Sequence, residues 1–247
     1  MLKYQNRGSM KELLSSRNID VQTKNIIIKD SYVVESFENE QIQSDETGFI
    51  AVVTRLNHLG FGFDEEPDEM RSRLRRVDLL LLAETNGVYM GYATFQTMKT
   101  SSGLVAYQAR ALAPEYQNRN IGRVFTAMGM ELTGADIFAA KAQSPISIYS
   151  TIASKVVEKM FPIDALFLED LAMQESLKEL VEIRGHGGQV DLDSGLHRKS
   201  YSMGRLGNYE VRPVSKNVEY VARRLEEIGV DPEKGDAVYY MGSVKNK

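Results

Sequence analysis

The sequence contains no cysteine, and this absence removes several kinds of chemistry at once. A chain without thiols has no disulfide, no thiolate metal site and no cysteine nucleophile. Long hydrophobic runs are also absent, since the longest, residues 79–83, is far too short to cross a bilayer. The polar residues that follow Met1 lead into no apolar segment of the kind a signal peptide needs. We therefore expect a cytoplasmic protein that has no membrane as a partner.

Positive charge is not in excess either. The formal net charge is −4, so electrostatics gives no reason to expect nucleic acid as a partner. The chain has neither a Gly-Lys-Ser/Thr P-loop nor a Gly-x-Ser-x-Gly elbow after a strand. The sequence therefore contains no motif that supports nucleotide hydrolysis or serine-hydrolase chemistry. The histidines are His58, His186 and His197. Their spacing to Asp191 and Asp193 matches no metal-ligand motif, so we expect no metal site.

The composition that remains is that of a folded globular protein. Of the 247 residues, 43% are hydrophobic and 26% are charged, and no tract has low complexity. A chain of this length can bury a substantial core as one large domain or as one domain with additions. We expect an N-terminal arm over residues 1–24, a main domain over 25–162, and an extension over 163–247 that packs on or completes that domain.

Strong local patterns occupy the first half of the chain. The sequence of the arm predicts only a short helix, over residues 10–15. Residues 25–37 are dense in β-branched and aromatic side chains, and this composition predicts a strand or a bent pair of strands. Capping residues at 44–47 begin a helix that ends near Gly60. An acidic and then basic run over residues 64–76 predicts a second, solvated helix. Three strands with short turns then predict an antiparallel meander: residues 77–84, 88–98 and 104–112.

The second half predicts a mixture of helices and short strands. A helix begins at Ile121 and ends near Gly134. Residues 145–150 are β-prone, and a right-handed crossover would place them parallel to the strand over 104–112. The remaining predictions are helices over 151–160 and 164–183, a polar, glycine-rich loop over 184–208, a helix over 218–228 and an edge strand over 237–242.

The third meander strand leads directly into the segment Leu112-Ala113-Pro114-Glu115-Tyr116-Gln117-Asn118-Arg119-Asn120-Ile121-Gly122-Arg123. A strand that stops at a proline and turns at once into a helix directs several backbone N–H groups at one spot, where an anion is held. The segment therefore predicts a phosphate-binding turn. A strand-to-helix turn without any ligand, with two solvated arginines, explains the same residues.

The order of the elements resembles that of the GNAT superfamily of acyl-CoA-dependent N-acyltransferases, over about residues 26–161. The family's pyrophosphate signature is Gln or Arg, two variable residues, Gly, one variable residue, and Gly or Ala. Residues 117–122 fill these positions, with Asn120 where the family usually has its first Gly. Asn is the non-glycine residue best able to adopt a positive φ, so the turn can survive. The resemblance implies a mixed, mostly antiparallel central sheet flanked by helices, with acetyl-CoA or another acyl-CoA as the cofactor.

The resemblance also assigns cofactor-binding residues. The backbone of Leu112 and Ala113 would run beside the pantetheine arm and polarise the thioester carbonyl. The signature begins at Gln117, and a helix dipole would help the following amides to hold the pyrophosphate. Those amides belong to Asn118, Arg119, Asn120, Gly122 and Arg123.

A general acid is harder to assign. The family's second signature lies in the next strand and helix: Asn, then Ala three residues later, then Tyr seven residues after the Asn. In many relatives this Tyr protonates the departing CoA thiolate. Ser150, Ala153 and Val157 stand at these positions. Tyr149, Ser150 or water could replace the missing Tyr, because a thiol with a pKa near roughly 8.5 is already a fair leaving group.

The sequence offers one candidate for the general base. In some relatives the corresponding strand supplies a Glu as the base. The strand over residues 104–112 contains no Glu. Glu84 is the nearest candidate, although a strand-end carboxylate beside the Asn86-Gly87 turn explains it too. Phe61 and Phe63 lie in a loop that borders the acceptor groove in GNAT-like folds, and are either core residues or substrate contacts.

The function implied is acetyl transfer from acetyl-CoA to a primary amine, of a small molecule or a protein, by direct attack in a ternary complex. The alternative is a catalytically degenerate GNAT-like acyl-CoA sensor or interaction module, motivated by Val157, Asn120 and the missing strand carboxylate. The segments outside the main domain leave open a homodimer or the docking of a protein partner.

Overall fold

The computed structural model describes residues 26–29, 32–63, 65–117, 119–164, 171–207 and 215–244. The predicted arm over residues 1–24, with its short helix, lies outside these ranges. The described strands are β1 (Ile26–Lys29), β2 (Tyr32–Glu38), β3 (Leu79–Thr85), β4 (Val88–Thr100), β5 (Gly103–Leu112), β6 (Ile137–Ala142), β7 (Val157–Phe161), β8 (Leu196–His197) and β9 (Ala237–Val244). The described helices are α1 (Asn39–Ser44), α2 (Glu46–Phe61), α3 (Pro67–Leu74), α4 (Ile121–Thr133), α5 (Pro145–Ile152), α6 (Leu171–Ile183) and α7 (Lys216–Ile228).

The described strands pair in one nine-stranded sheet, in the order β1-β2-β3-β4-β5-β6-β9-β7, with β8 also paired to β9. The pair β5–β6 is parallel, whereas β1–β2, β2–β3, β3–β4, β6–β9, β7–β9 and β8–β9 are antiparallel. A mixed, mostly antiparallel sheet flanked by helices confirms the predicted fold class. The chain divides into two compact units, Met1–Phe95 with Arg110–Arg119, and Gln96–Ala109 with Asn120–Lys247.

In the first unit, α2 and α3 cover one face of β3 and β4. Asp45 caps α2 by accepting the N–H of Gly48 at 3.2 Å, and Gly62 ends the helix in the left-handed conformation. The predicted strand or bent pair of strands is the pair β1 and β2, and the predicted helices over residues 44–60 and 64–76 are confirmed as α2 and α3, whereas the sequence does not predict α1. The buried apolar core joins the two helices to the strands through Val53, Leu56, Met70, Leu74, Leu80, Leu82 and Tyr92.

A buried polar network fixes the loop between α2 and α3 in this unit. The hydroxyl of Tyr92 donates to Asn57 Oδ1 at 2.8 Å, and Asn57 Nδ2 donates to Glu65 Oε2 at 3.3 Å. Arg73 pairs with Glu65 Oε1 at 2.6 Å. Burial raises the pKa of Glu65, and the Arg73 charge opposes that rise. The loop is thus tied to β4 by satisfied hydrogen bonds.

In the second unit, helices cover both faces of the sheet. On one face, α6 packs against residues of β4, β5, β6 and β9: Met98, Val105, Tyr107, Ile137, Ala139, Tyr239 and Met241. On the other, Thr126 of α4 donates to Gln108 Oε1 at 3.3 Å. Tyr107 and Gln108 are neighbours on β5, so the alternation of strand side chains assigns α6 and α4 to opposite faces. None of the described helices is both long and apolar enough to cross a membrane.

The prediction of a parallel strand over residues 145–150 is wrong. The strand parallel to β5 is β6, with Val105 opposite Ile137 and Gln108 opposite Ala140. Residues 145–152 instead form α5, because Ser144 caps the helix through the N–H of Ser147 and Pro145 suits its first turn.

Two later predictions are also wrong. The helix predicted over residues 151–160 contains β7, and the positive φ of Lys155, 64°, lies between α5 and that strand. The strand β9 is not at an edge, because it pairs with β6 on one side and β7 on the other. The predicted helix over 164–183 is described only from Leu171 onward, whereas the helix over 218–228 is confirmed as part of α7.

Candidate functional site

The first-unit part of the predicted turn begins where β5 ends. The N–H of Ala113 donates to the carbonyl of Met90 on β4 at 2.9 Å, and Pro114–Tyr116 form one turn of 3₁₀ helix. Gln117 Nε2 then donates to the carbonyl of Leu112 at 3.3 Å. The side chain of Gln117 therefore ties the turn back to the end of the strand.

Two glycines let other backbone segments approach this strand end. A Cβ built on Gly91 of β4 would lie 2.6 Å from the carbonyl oxygen of Ala111. One built on Gly60 of α2 would lie 2.9 Å from Ala111 Cβ and 3.2 Å from the carbonyl oxygen of Leu112. Close backbone approach is a positional role that only glycine fills without displacement.

The second-unit part begins at Asn120, which precedes α4. Asn120 has φ 61° and ψ 6°, in the left-handed region, so the positive φ predicted for it is confirmed. Its carbonyl accepts the N–H groups of Arg123 and Val124 at 3.1 and 3.2 Å, while its side chain makes no capping hydrogen bond. A helix that starts this way presents first-turn N–H groups and the positive end of its dipole.

The conformation of Asn120 gives a stability prediction. Its side chain is exposed, so a substitution there changes the backbone preference with little change in packing. Asn120→Gly is expected to leave the free energy of unfolding close to that of the parent chain. Asn120→Val is expected to lower it by about 1–2 kcal/mol, because a β-branched residue is strained at positive φ. Urea denaturation measures both, and equal stabilities for the two variants would contradict the left-handed turn.

The predicted turn contains one arginine in each unit. In the first unit, the guanidinium carbon of exposed Arg119 lies 5.2 Å from the ring centroid of Tyr116. In the second unit, that of Arg123 lies 5.6 Å from the ring centroid of Tyr149, whose hydroxyl accepts from Asn217 Nδ2 of α7 at 3.4 Å. The structure thus brings together a predicted cofactor residue and a candidate acid. Asn118 lies outside the described residues.

Tyr149 and Ser150 lie on α5 rather than in the predicted strand. The hydroxyl of Ser150 donates to the carbonyl of Ser147 at 2.8 Å, within the same helix. Ala153 ends α5, and Val157 is the first residue of β7. The prediction that Val157 occupies a helical position is therefore wrong, and the residue gives no information about a missing tyrosine.

Glu84 and the two phenylalanines have local partners in the first unit. Glu84 is 7% exposed at the end of β3, and its Oε1 accepts the N–H of Gly87 at 2.8 Å. This contact is the one expected if Glu84 is a strand-end carboxylate that stabilises the Asn86-Gly87 turn. The rings of Phe61 and Phe63 stack at the end of α2, with centroids 6.3 Å apart.

The second unit also contains a polar cluster that the sequence pattern does not predict. The hydroxyl of Tyr239 and Nδ1 of His186 share a hydrogen bond. The His197 ring lies 4.8 Å from that of His186 and stacks on Tyr239, with centroids 6.1 Å apart. Within the described ranges, no group of three or more His, Asp or Glu side chains is placed to hold a metal ion.

Two cations border these rings. Lys141 Nζ lies 5.7 Å from the ring centroid of Tyr239, and the guanidinium carbon of Arg184 lies 4.2 Å from that of Tyr107. Side chains alternate between the two faces of a sheet, so the pairing of β5, β6 and β9 places Tyr107, Lys141 and Tyr239 on one face. The sequence pattern does not predict β6, so it does not predict this grouping either.

Burial and these cations hold both histidines neutral. Desolvation, followed by the charges of Lys141 and Arg184, lowers the pKa of His186 to about 4. Desolvation, Lys141 and His186 lower the pKa of His197 to about 4 as well. Burial raises the pKa of Tyr239, so its hydroxyl keeps its proton while it shares a hydrogen bond with His186 Nδ1.

Acidification is therefore expected to destabilise the fold. The folded pKa of each ring is about 4, against 6.5 for an unperturbed histidine. Between these values the unfolded chain binds protons that the folded chain does not, so the free energy of unfolding falls as pH falls from about 6.5 to about 4. Urea denaturation across this range measures the slope. His186→Gln and His197→Gln should each make it shallower, and unchanged slopes in both variants would contradict this account.

The described elements follow the order that the GNAT resemblance implies. A strand pair and helices precede a meander, and the third meander strand is followed by a helix, a parallel strand and another helix. In this order of elements the fold is GNAT-like.

Comparisons with known proteins give only a likeness of fold. No protein-family model matches the sequence, and no curated protein matches it. The ribosomal-protein-S18-alanine N-acetyltransferase from Escherichia coli is similar at 14% identity and a TM-score of 0.41, over 87% of this chain and 96% of that one. An acetyltransferase of the GNAT family from Streptococcus pneumoniae has 15% identity and a TM-score of 0.37, over 52% of this chain and 86% of that one. The protein yncA from Salmonella typhimurium, with its cofactor acetyl-CoA, has 15% identity and a TM-score of 0.35, over 53% and 83%. Values this low describe a partial likeness.

Proposed function

We propose that this chain is an acyl-CoA-dependent N-acyltransferase, which transfers acetyl from acetyl-CoA to a primary amine by direct attack in a ternary complex. The acceptor amine belongs to a small molecule or a protein. The observation that supports this most is the turn from β5 into α4, where left-handed Asn120 precedes a helix of 13 residues. The N-terminus of a helix favours phosphate groups.

The residues of this turn fit the pyrophosphate of CoA. The Asn120 side chain does not cap the first-turn amides, and Arg123 brings a positive charge in the first turn of α4. Arg119 immediately precedes Asn120 in the sequence and adds a second positive charge. We propose that the backbone of Asn118, Arg119, Asn120 and Gly122 would hold the pyrophosphate. The N–H of Arg123 already donates to Asn120, so for this residue we propose the guanidinium instead of the amide.

We propose that the backbone at the end of β5 positions the thioester. The N–H of Ala113 already donates to the carbonyl of Met90. Ala113 would therefore help to position the pantetheine arm but would not polarise the thioester carbonyl. Successive strand residues direct their N–H groups to opposite sides, so the N–H of Leu112 points away from β4. Leu112 also lies beyond Gln108, the last β5 residue in the described register with β6. The N–H of Leu112 is therefore our candidate donor to the thioester carbonyl.

Acetyl-CoA supplies an activated thioester: as the amine nitrogen bonds to the carbonyl carbon, the C–S bond breaks, CoA leaves as a thiolate, and the nitrogen gives up one proton. Tyr149 Oη is our first candidate to donate a proton to the sulfur, because Ser150 Oγ already donates to Ser147. Glu84 is the candidate base. Its Oε1 accepts from Gly87, so a base role would use Oε2.

The alternative remains a degenerate acyl-CoA sensor or interaction module. Two of its supporting observations persist, namely Asn120 in place of Gly and the absence of a carboxylate on β5. The third does not, because Val157 lies in β7 and not in a helix.

Thiol release from acetyl-CoA, followed with a panel of primary amines, distinguishes the two functions. We expect thiol release that depends on the amine and falls in Tyr149→Phe. Binding of acetyl-CoA in a calorimeter without turnover by any amine would favour the sensor. No binding at millimolar acetyl-CoA would contradict both functions.

A further inference from the structure

The polar cluster of the second unit comprises Tyr107, Lys141, Arg184, His186, His197 and Tyr239, and we name it the histidine cluster. It gathers residues from separate parts of that unit onto one face of the sheet. Lys141 of β6 stands opposite Tyr239 of β9, and Tyr107 of β5 stands opposite Ala139 of β6. Arg184 and His186 directly follow α6, which covers the same face.

Two buried nitrogen atoms of this cluster have no partner among the described residues. His197 is 4% exposed. Its Nε2 donates to Gln189 Oε1 at 3.3 Å, so Nδ1 of the neutral ring is an acceptor, and it has no hydrogen-bond partner. Arg184 donates through a terminal nitrogen to Gln96 Oε1 at 3.0 Å, while its buried Nε has no acceptor. Buried polar atoms are almost always paired, so two such atoms in one cluster point to a ligand.

The charges of the cluster indicate the sign of that ligand. The charges that act on His186 come from Lys141 and Arg184, and that on His197 from Lys141, so cations and not carboxylates dominate. Lys141, Arg184 and His186 are only partly buried, so a ligand from solvent can reach them. A guanidinium and an ammonium group together suit a carboxylate or a phosphate.

The topology of the unit places the cluster near the end of the sheet where chemistry is expected. Lys141 lies towards the C-terminal end of β6, and the parallel strand β5 leads from its own C-terminal end into the turn proposed for the pyrophosphate. Ligands of parallel strands bind at this end. The cluster lies on the α6 face, whereas Gln108 and α4 lie on the other. An acceptor on the α6 face would not compete with a cofactor held at the start of α4.

We propose that the histidine cluster binds the anionic group, a carboxylate or a phosphate, of the amine acceptor. Lys141 and Arg184 supply the charge, and the unpaired Nε of Arg184 supplies a hydrogen-bond donor. The role as acceptor site rests on the proposed function, whereas anion binding does not. The acceptor class is therefore an amine that also carries an acidic group.

Imidazole resonances of the full chain test this proposal without turnover. His186 and His197 report on the cluster, and His58, on α2 of the first unit, serves as the internal reference. The probes are glutamate for a carboxylate, phosphoethanolamine for a phosphate, and putrescine as an amine with no anionic group. We expect saturable shifts at His186 and His197 with glutamate or phosphoethanolamine, but not with putrescine. The probe that saturates at the lower concentration identifies the group.

Two variants and a control complete the experiment. Lys141→Met and Arg184→Gln should each weaken anion binding roughly tenfold or more, because each removes a charged hydrogen-bond donor. Lys178→Met removes a lysine from α6 outside the cluster, where it pairs with Glu175 at 3.3 Å, and should change nothing. No saturable shift with either anionic probe, or equal shifts with putrescine, would overturn the proposal.

The same samples separate this failure from failure of the proposed function. Acetyl-CoA binding and amine-dependent turnover with no preference for anionic amines would reject the acceptor site and leave the acyltransferase standing. Saturable anion shifts without acetyl-CoA binding would support the anion site and reject the acyltransferase.

Discussion

Reversal of both arginine charges, in the double variant Arg119→Glu and Arg123→Glu, is expected to weaken acetyl-CoA binding by about a hundredfold or more. Each arginine can make a charged hydrogen bond to the pyrophosphate worth about 1.5–3 kcal/mol, and each tenfold in affinity corresponds to about 1.4 kcal/mol. Glutamates would replace these bonds with repulsion beside a helix N-terminus. Isothermal titration with acetyl-CoA measures the loss.

The matched control for this variant is Arg76→Glu. Arg76 is exposed just beyond α3, where its Nε donates to the carbonyl of Ser72 at 3.2 Å, outside the proposed turn. The control should bind acetyl-CoA as the parent chain does, and thermal denaturation should show that both proteins are folded. If the double variant and the control bind equally well, the pyrophosphate is not held by this turn.

Replacement of Gly91 by alanine is expected to lower the free energy of unfolding by about 3 kcal/mol. The new Cβ would lie 2.4 Å from Leu112 Cδ2, 2.6 Å from the carbonyl oxygen of Ala111 and 3.1 Å from Leu112 Cα. The side chain of Leu112 can move, but the two backbone atoms cannot move without separating β4 from β5. Overpacking of this kind costs about 1–3 kcal/mol and sometimes more.

Gly187→Ala is the control for this change. A Cβ there would lie 3.5 Å from Glu182 Cγ, which is ordinary contact, and the position has no positive φ. Urea denaturation should give this variant nearly the stability of the parent chain. Equal stabilities for Gly91→Ala and Gly187→Ala would show that β4 and β5 do not approach closely at Ala111.

Much of the fold is predictable where the pattern is long or the turn chemistry is strong. The helix α4 places Val124, Phe125 and Met128 on a buried face and ends at left-handed Gly134, as its spacing predicts. The hairpin of β3 and β4 follows from Asn86-Gly87, both of which have positive φ.

The errors fall where tertiary context or a capping signal decides the structure. The strand β6 is short and rich in alanine, which has low strand propensity, and it forms because β5 and β9 pair with it on both sides. In α5, Ser144 and Pro145 define a helix start that prevails over the β propensity of the isoleucines that follow. Because the sequence pattern does not predict β6, it does not predict the interior position of β9 either.

The candidate site also has one part that the sequence predicts and one part that it does not. The turn of residues 112–123 is contiguous, so its proline, its asparagine and its helix start are visible in the sequence alone. The histidine cluster is not contiguous, because Lys141 and Tyr239 become neighbours only through the pairing of β6 with β9. The residues of such a site form no pattern in the sequence, and only the sheet topology shows that they are neighbours.

A crystal structure of this chain grown with CoA tests the central claim most directly. We expect the pyrophosphate within hydrogen-bond distance of the backbone at residues 118–122, with the guanidinium groups of Arg119 and Arg123 beside it and the pantetheine arm along Leu112 and Ala113. CoA bound elsewhere on the chain, or no bound CoA at saturating concentration, would contradict the account.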